Sequence, residues 1–553
     1  MLSASKTNVT TTRFLIGTVL FLCALTFYYF AVLNVDYYKT GLLDLGWIDP
    51  SYYFAQARAI MKDGYPSLDF GYQKLPSMYP SGYPVLMIPW LKVLSNADST
   101  LAPFRTNQTI GLLLLLATFG FYTYLQTPLT GGFAALLLAT LPGFFTFSRS
   151  CMSELSASAF IALAFIFAYL GLKEERLWKV YLSAIFLGLS LNIRLQSLFF
   201  APLLLAMALF PGEGRRLRWL LHCVGIVIAF ILAASPSLVL NTIQFHSPFK
   251  TGYSFWFAVD WPIRPGVVSP LYIPNNVAML WRELTLHPQT LSAARFLGTG
   301  TSFVAPFILL VCVGMFFIRL NRFVICAFLA GSSFFVLTSS LSPGWVDLRY
   351  YLPLLILLVA VAVLPVTWAA ENLFVARRAV SSLAIFVLFA AACLGFPSRS
   401  PFNTPQAVTS GTQTDWNRSQ TWDAFYFPTP SVRSRGWLTA ERHFVEMFGR
   451  EPGIILADIN PVVLNALLPD SFVAAHLDGE RYAVFRGGRT YDRGQALALV
   501  KRALDQSRPV YALFVSQNEM EENAVRLPQL DGYEWAVAEN LPAEAVVLKL
   551  SPK

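Results

Sequence analysis

The sequence predicts an all-helical membrane protein of about 11 transmembrane helices, closed by a C-terminal extracytoplasmic α/β domain. Composition gives the first reason: mean hydropathy is +0.52, 55% of the 553 residues are hydrophobic and only 13% are charged, so the bilayer is the main solvent. The apolar runs give the second, because a helix of about 20 apolar residues crosses the roughly 30 Å hydrocarbon layer. A change of texture gives the third. Beyond the linker Pro397 to Pro405, apolar strand-like runs (Gly453 to Ala457, Val510 to Val515, Ala545 to Leu550) alternate with amphipathic stretches (Thr439 to Phe448, Gln495 to Gln506).

Taken in order, the predicted spans are 14 to 33, 108 to 125, 131 to 147, 155 to 172, 180 to 193, 195 to 210, 219 to 240, 303 to 318, 323 to 341, 350 to 369 and 380 to 396. The first lacks a small-residue cleavage site and reads as an uncleaved signal anchor with its N-terminus in the cytoplasm. Charge then tests the count. Lys173 to Arg176 with Lys179, Arg215 to Arg218, Arg319 with Arg322, and Arg377 with Arg378 all fall on the N-terminal side, as basic cytoplasmic loops require. The apolar stretch 180 to 210 is interrupted by Asn192, Arg194 and Gln196. Reading it as one span would place the Arg215 loop outside, so two short helices meeting at the outer face are expected.

This topology gives a membrane domain, 1–396, with outer loops 34–107 and 241–302, and an outer domain, 397–553. Within the first loop, Tyr83 to Leu94 is apolar but too short to cross and suits an interfacial helix. Residues 397–553 carry 16 Lys and Arg against 18 Asp and Glu. The net charge of +9 therefore belongs to the membrane part, where basic loops explain it without a nucleic-acid partner. The six cysteines show no CxxC spacing, and five scattered histidines with no HExxH motif give no signature of a structural zinc site.

Three polar sets are expected at the outer face. The first is Asp49 with Arg58 and Lys74; the second is Arg149 to Glu154, between the third and fourth spans; the third is Asp347 to Pro353, with Arg194 beside it in topology. Ionisable residues at the edge of a span are costly and mark candidate sites. The structural alternatives stay open. Asp49-Pro50 reads as a helix N-cap with Pro at the first position and Gly64 as its end, while Arg149 with Glu154, or Asp347 with Arg349, reads as an internal ion pair. Asp44 is a second candidate for the role of Asp49. Carboxylates and cations together suit group transfer from a lipid phosphate. A carboxylate takes the proton of an acceptor hydroxyl, and Arg and Lys neutralise the departing phosphate, which needs no general acid. In this reading Asp49 is the base and Glu154 a supporting carboxylate, with Lys74, Arg149, Arg349, Arg58 and Arg194 as phosphate ligands. Tyr53, Tyr79, Tyr83, Tyr253 and Tyr350 line the substrate or form the interfacial aromatic belt.

The same segments resemble the GT-C superfamily of polyprenyl-phosphate-sugar-dependent glycosyltransferases, in its protein O-mannosyltransferase and lipid A aminoarabinose transferase branch. Asp49-Pro50-Ser51-Tyr52-Tyr53 with Tyr79-Pro80-Ser81-Gly82-Tyr83-Pro84 is similar to its acidic first-loop motif and Tyr-Pro segment, and Met152-Ser153-Glu154 to its second acidic site. Asn241 with Phe245 to Tyr253, and Arg349-Tyr350-Tyr351-Leu352-Pro353, resemble two later motifs. Pro50 stands where the mannosyltransferases carry Glu, His246 where Gly is usual, and the Trp-Trp-Asp-Tyr-Gly motif of oligosaccharyltransferases is absent from the sequence. The resemblance implies an inverting transferase of the bacterial inner membrane. It would move a single sugar from an undecaprenyl or similar polyprenyl phosphate to a glycolipid, polysaccharide or protein hydroxyl, with no required cofactor and a divalent metal left open. The alternative from another class is a transporter or flippase for a lipid-linked sugar, for which internal repeats and midplane charges would be expected.

Overall fold

The computed structural model describes residues 2–34, 48–71, 74–209, 216–253, 268–285, 304–341, 348–372 and most of 440–553 outside 478–492 and 541–544. Asp44, Asp347, the linker Pro397 to Pro405 and the expected span 380 to 396 lie outside the described residues.

The chain runs α1 (Leu2–Tyr28), α2 (Ile48–Asp63), a hairpin of β1 (Leu68–Asp69) and β2 (Lys74–Leu75), α3 (Gly82–Val93) and α4 (Ala102–Leu125). Then come α5 (Pro128–Thr140), α6 (Pro142–Ser148), α7 (Glu154–Glu174), α8 (Leu177–Ile193), α9 (Pro202–Leu209) and α10 (Arg216–Phe245). They are followed by α11 (Ile273–Thr285), α12 (Val304–Met315), α13 (Arg322–Ser339) and α14 (Leu352–Asn372). The tail adds β3 (Gly453–Ala457), α15 (Pro461–Leu467), β4 (Phe472–His476), α16 (Arg493–Asp505), β5 (Val510–Phe514), α17 (Gln517–Asn523), β6 (Tyr533–Asn540) and β7 (Val546–Pro552).

Among the described residues, five helical segments are long and apolar enough to cross a membrane: Arg13–Leu33, Ser99–Leu125, Glu154–Glu174, Leu220–Phe245 and Arg349–Trp368. Shorter apolar helices occupy the other expected spans within the described chain, so the count of 11 is not reproduced as eleven full-length helices. One expectation needs correction. The span expected at 131 to 147 is two helices, because Leu141 is extended and Pro142, which lacks an N–H, starts a new helix rather than continuing α5. The first expected span, 14 to 33, matches the apolar segment Arg13–Leu33, and its helix extends back to Leu2.

The chain divides into two compact units: residues 1–36, 104–237 and 264–427, and residues 37–103, 238–263 and 428–553. In the first unit, helices approach closely through glycine. A Cβ on Gly17 would stand 2.1 Å from the Pro128 carbonyl oxygen, and one on Gly132 would stand 2.4 Å from that of Gly17, so α1 and α5 touch backbone to backbone. The expected break in 180 to 210 is present: α8 stops at Ile193, Arg194 is extended at φ −146°, and a 3₁₀ turn, Leu195–Phe200, leads to α9. Asn192 has a separate use. Pro236 disturbs α10, and the Asn192 amide enters the gap, accepting from the Ser237 N–H at 3.0 Å and donating to the Ala233 carbonyl at 2.7 Å.

The second unit joins the loop segment 37–103 and residues 238–263 to the tail. Its sheet has the order β4-β3-β5-β7-β6, parallel across β4-β3-β5 and antiparallel from β5 through β7 to β6. Helices α15 and α16 make the crossovers, and every residue of β3 and β5 is buried, as central parallel strands require. The expected α/β character of the tail is therefore a mixed five-stranded sheet.

Candidate functional site

In the second unit, α2 presents one face to the loop 77–81. Positions 49, 52, 53 and 56 follow the i, i+3, i+4, i+7 spacing of one helical face. The Tyr79 hydroxyl donates to Asp49 Oδ1. The Tyr79 ring meets those of Tyr52, Tyr53 and Tyr253 at centroid distances of 6.4, 5.0 and 6.0 Å. One turn further, the fully buried Gln56 donates to Ser77 Oγ at 2.9 Å and accepts from Ser81 Oγ at 3.1 Å, while Ser77 Oγ also accepts from the Tyr79 N–H. Burial and the adjacent Asp49 carboxylate hold the Tyr79 phenol well above its usual pKa, because ionising it would put a second negative charge beside the first. It stays a donor.

The helix starts at Ile48, so Asp49 stands inside its first turn and is not its N-cap. The positive end of the helix dipole still favours the carboxylate there. Gly64 ends the helix as expected, at φ +70° with its N–H on the Ile60 carbonyl. Gly252 brings the 251–253 segment onto the loop: a Cβ there would lie 2.0 Å from the Ser77 carbonyl oxygen. Tyr83 is fully buried, donates to the Pro103 carbonyl at 3.1 Å and meets Tyr53 at 5.2 Å, which makes it a support of the cluster. Lys74 pairs with Asp63 at 2.5 Å, half exposed, beside a cavity of about 350 Å³ shared with Tyr65, Ser67 and Gln244. Arg58 lies nine residues after Asp49, on the opposite side of α2 at about 100° per residue.

In the first unit, Glu154 opens α7 and is 2% exposed. Arg194 Nη1 lies 2.5 Å from Glu154 Oε1 and 3.3 Å from Ser153 Oγ, and Arg349 Nε lies 3.7 Å from the same carboxylate oxygen. Both guanidinium groups lie against the Tyr350 ring, at 5.0 and 5.1 Å. The three charges and Tyr350 line a small cleft with Gln196, Ser197, Phe334 and Pro353. Two guanidinium groups thus converge on one carboxylate oxygen beside a single aromatic ring. Glu154 faces Arg194 and Arg349, not the local Arg149 that the sequence left open. Arg149, 1% exposed, donates to the Ala31 carbonyl at 2.9 Å and lies 5.4 Å over Phe145. Ala31 belongs to the π-helical turn Tyr29–Leu33 at the end of α1, so Arg149 satisfies a helix-end carbonyl.

Sequence reasoning passed over Gln56, Ser77 and Asn107. Gln56 had a signal, its seven-residue spacing from Asp49. Asn107 had none: its buried amide donates to the carbonyls of Ser150 and Met152 and accepts from Ser156 Oγ, fixing the turn that leads to Glu154.

No protein-family model and no curated protein sequence matches this chain. Solved structures do. ArnT from Cupriavidus metallidurans bound to undecaprenyl phosphate matches with a TM-score of 0.57 at 12% identity, over 96% of this chain and 97% of that one. The apo state of the same protein matches at 0.58 and 13% over the same shares. The apo oligosaccharyltransferase of Archaeoglobus fulgidus matches at 0.52 and 12%, over 92% of this chain and 70% of that one. At such identities the likeness is one of fold: this chain shares its fold with these membrane proteins over most of its length.

Proposed function

We propose that this chain is an inverting glycosyltransferase of the membrane's outer face, moving one sugar from a polyprenyl-phosphate donor to the hydroxyl of a glycolipid, polysaccharide or protein. The observation that carries the reading is the fold correspondence over nearly the whole of both chains with ArnT, whose crystal structure holds undecaprenyl phosphate. Asp49 serves as the base. As the acceptor oxygen bonds to the anomeric carbon, its proton passes to the Asp49 carboxylate, and the bond from that carbon to the phosphate oxygen breaks on the opposite face. The products are the glycosylated acceptor and free polyprenyl phosphate. A phosphate leaves as a stabilised anion, so one carboxylate suffices where an inverting glycosidase needs two. Tyr79 supports the assignment, because its hydroxyl orients the carboxylate and does not itself compete for the proton.

Arg194 and Arg349 are the favoured phosphate ligands, since Glu154 holds both beside one ring. Glu154 is then a positioning residue. Arg149 caps α1, and Lys74 remains a ligand candidate at its own cavity. The test is a reconstitution in lipid vesicles with labelled undecaprenyl-phosphate sugars. Release of polyprenyl phosphate with a new glycosidic bond of inverted configuration is expected; headgroup translocation with the donor intact would replace this reading with a flippase.

A further inference from the structure

We propose that the C-terminal sheet is a positioning part of the Asp49 site and that Asn465 is the clasp through which it holds the first outer loop; the proposal rests on the assignment of Asp49 as the base. Among the described residues β4 is the last strand of the sheet on its side, and its outer edge presents backbone groups with no neighbouring strand. The Asn465 side chain stands in for that strand. Its Oδ1 accepts from the Ala474 N–H at 2.6 Å, and its Nδ2 donates to the Ala474 carbonyl at 2.9 Å. The second N–H of the same amide donates to the Asp69 carbonyl in the loop hairpin at 3.1 Å. One side chain thus joins the edge of the tail sheet to the turn between β1 and β2.

That turn is shaped for the approach. Asp69 Oδ1 accepts from the Gly71 N–H at 2.7 Å, and Gly71 takes φ +80°, a conformation in which a side chain is strained. A Cβ on Gly71 would lie 2.3 Å from the Ala474 carbonyl oxygen, so no other residue fits this contact without moving the hairpin. Leu68 and Phe70, on either side of Asp69, are buried at 0 and 2% exposure, which fixes the hairpin's orientation.

Two routes lead from the clasp to Asp49. The helix that carries Asn465, α15, packs directly against α2, the helix that carries Asp49. The hairpin that Asn465 holds continues through Pro76 into Ser77 and Tyr79, which bind Gln56 and Asp49 of α2. A shift of the hairpin would carry the Tyr79 hydroxyl away from the carboxylate it orients. The tail therefore acts through α2 and Tyr79, with no residue of its own at the reacting atoms.

The test uses the full chain in lipid nanodiscs with Asn465→Asp, an isosteric change that keeps one acceptor and removes both donated hydrogen bonds. Amide hydrogen exchange over 48–63 and 74–79 should rise at least about tenfold while β3, β5 and the membrane helices keep their protection. For the undecaprenyl-phosphate sugar that the unsubstituted protein turns over, kcat should fall about 10- to 100-fold with KM within about twofold, the signature of a displaced catalytic group. Unchanged exchange over 48–63 would overturn the proposal. If Asn465→Asp also loosens the sheet, Gly71→Ala reads the contact from the loop side: the same local rise supports the clasp, and its absence overturns it. If the unsubstituted protein transfers no sugar, the transferase reading fails, and the exchange measurement alone decides the clasp.

Discussion

Asp49 and Glu154 both stand in the first turn of a helix, and the difference between them lies in what faces each carboxylate. Glu154 faces two guanidinium groups in a site from which water is nearly excluded. Asp49 is held by a neutral phenol whose ionisation is suppressed, on a half-buried helix start. In the proposed reading the first holds two cations in place and the second takes the acceptor's proton, so two acids that look alike in the sequence are told apart by their neighbours.

The comparison breaks most visibly on stability. Glu154→Ala removes a buried carboxylate that faces two guanidinium groups and should destabilise the protein by about 3–5 kcal/mol. Thermal unfolding in detergent would show this as a large drop in Tm, whereas a Tm unchanged from that of the parent would mean that the cluster is solvated. Arg349→Lys keeps the charge but loses the fork and the ring contact; kcat/KM should fall about 10- to 100-fold with donor binding weakened. A fall in kcat alone would point away from phosphate binding. Gln56→Ala strands Ser77 and Ser81 beneath the loop and should cost about 1–3 kcal/mol, read by chemical denaturation.

A pH profile sharpens the Asp49 side. The raised pKa of Tyr79 means that the phenol is still protonated as pH passes its ordinary value of 10, so its contribution is present below pH 10 and is lost only above it. No descending limb of kcat/KM below pH 10 should be assignable to Tyr79; a limb there that vanishes in Tyr79→Phe would contradict the account. The smallest effect is expected at Lys74. Its ion pair with Asp63 is half exposed, and Lys74→Ala should change stability by less than about 1 kcal/mol.

What was legible in the sequence was what period and length encode. The long apolar runs became helices, Asn192, Arg194 and Gln196 marked a true break, and Gly64 closed α2. Pro142 was equally visible, yet hydropathy runs straight across it, because a window average does not register a missing N–H. The pairing of Glu154 with Arg194 and Arg349 was not legible, since it joins residues 40 and 195 positions apart. The local alternative, Arg149 with Glu154, is the one that spacing offers. Arg149 instead reaches a carbonyl freed at the end of α1, and a π-turn leaves no trace in composition. The clasp at Asn465 was likewise silent, because a surface-looking Asn becomes specific only when a sheet edge and a glycine turn meet it.

The most direct measurement is single-turnover transfer from a labelled polyprenyl-phosphate sugar by Asp49→Asn, with donor binding followed in parallel. The account predicts a loss of at least about 100-fold in the rate of bond formation, with donor affinity and Tm close to those of the parent. Retention of more than about a tenth of the parent rate would contradict the assignment of Asp49 as the base, given the ~10²-fold or larger contribution expected of such a group.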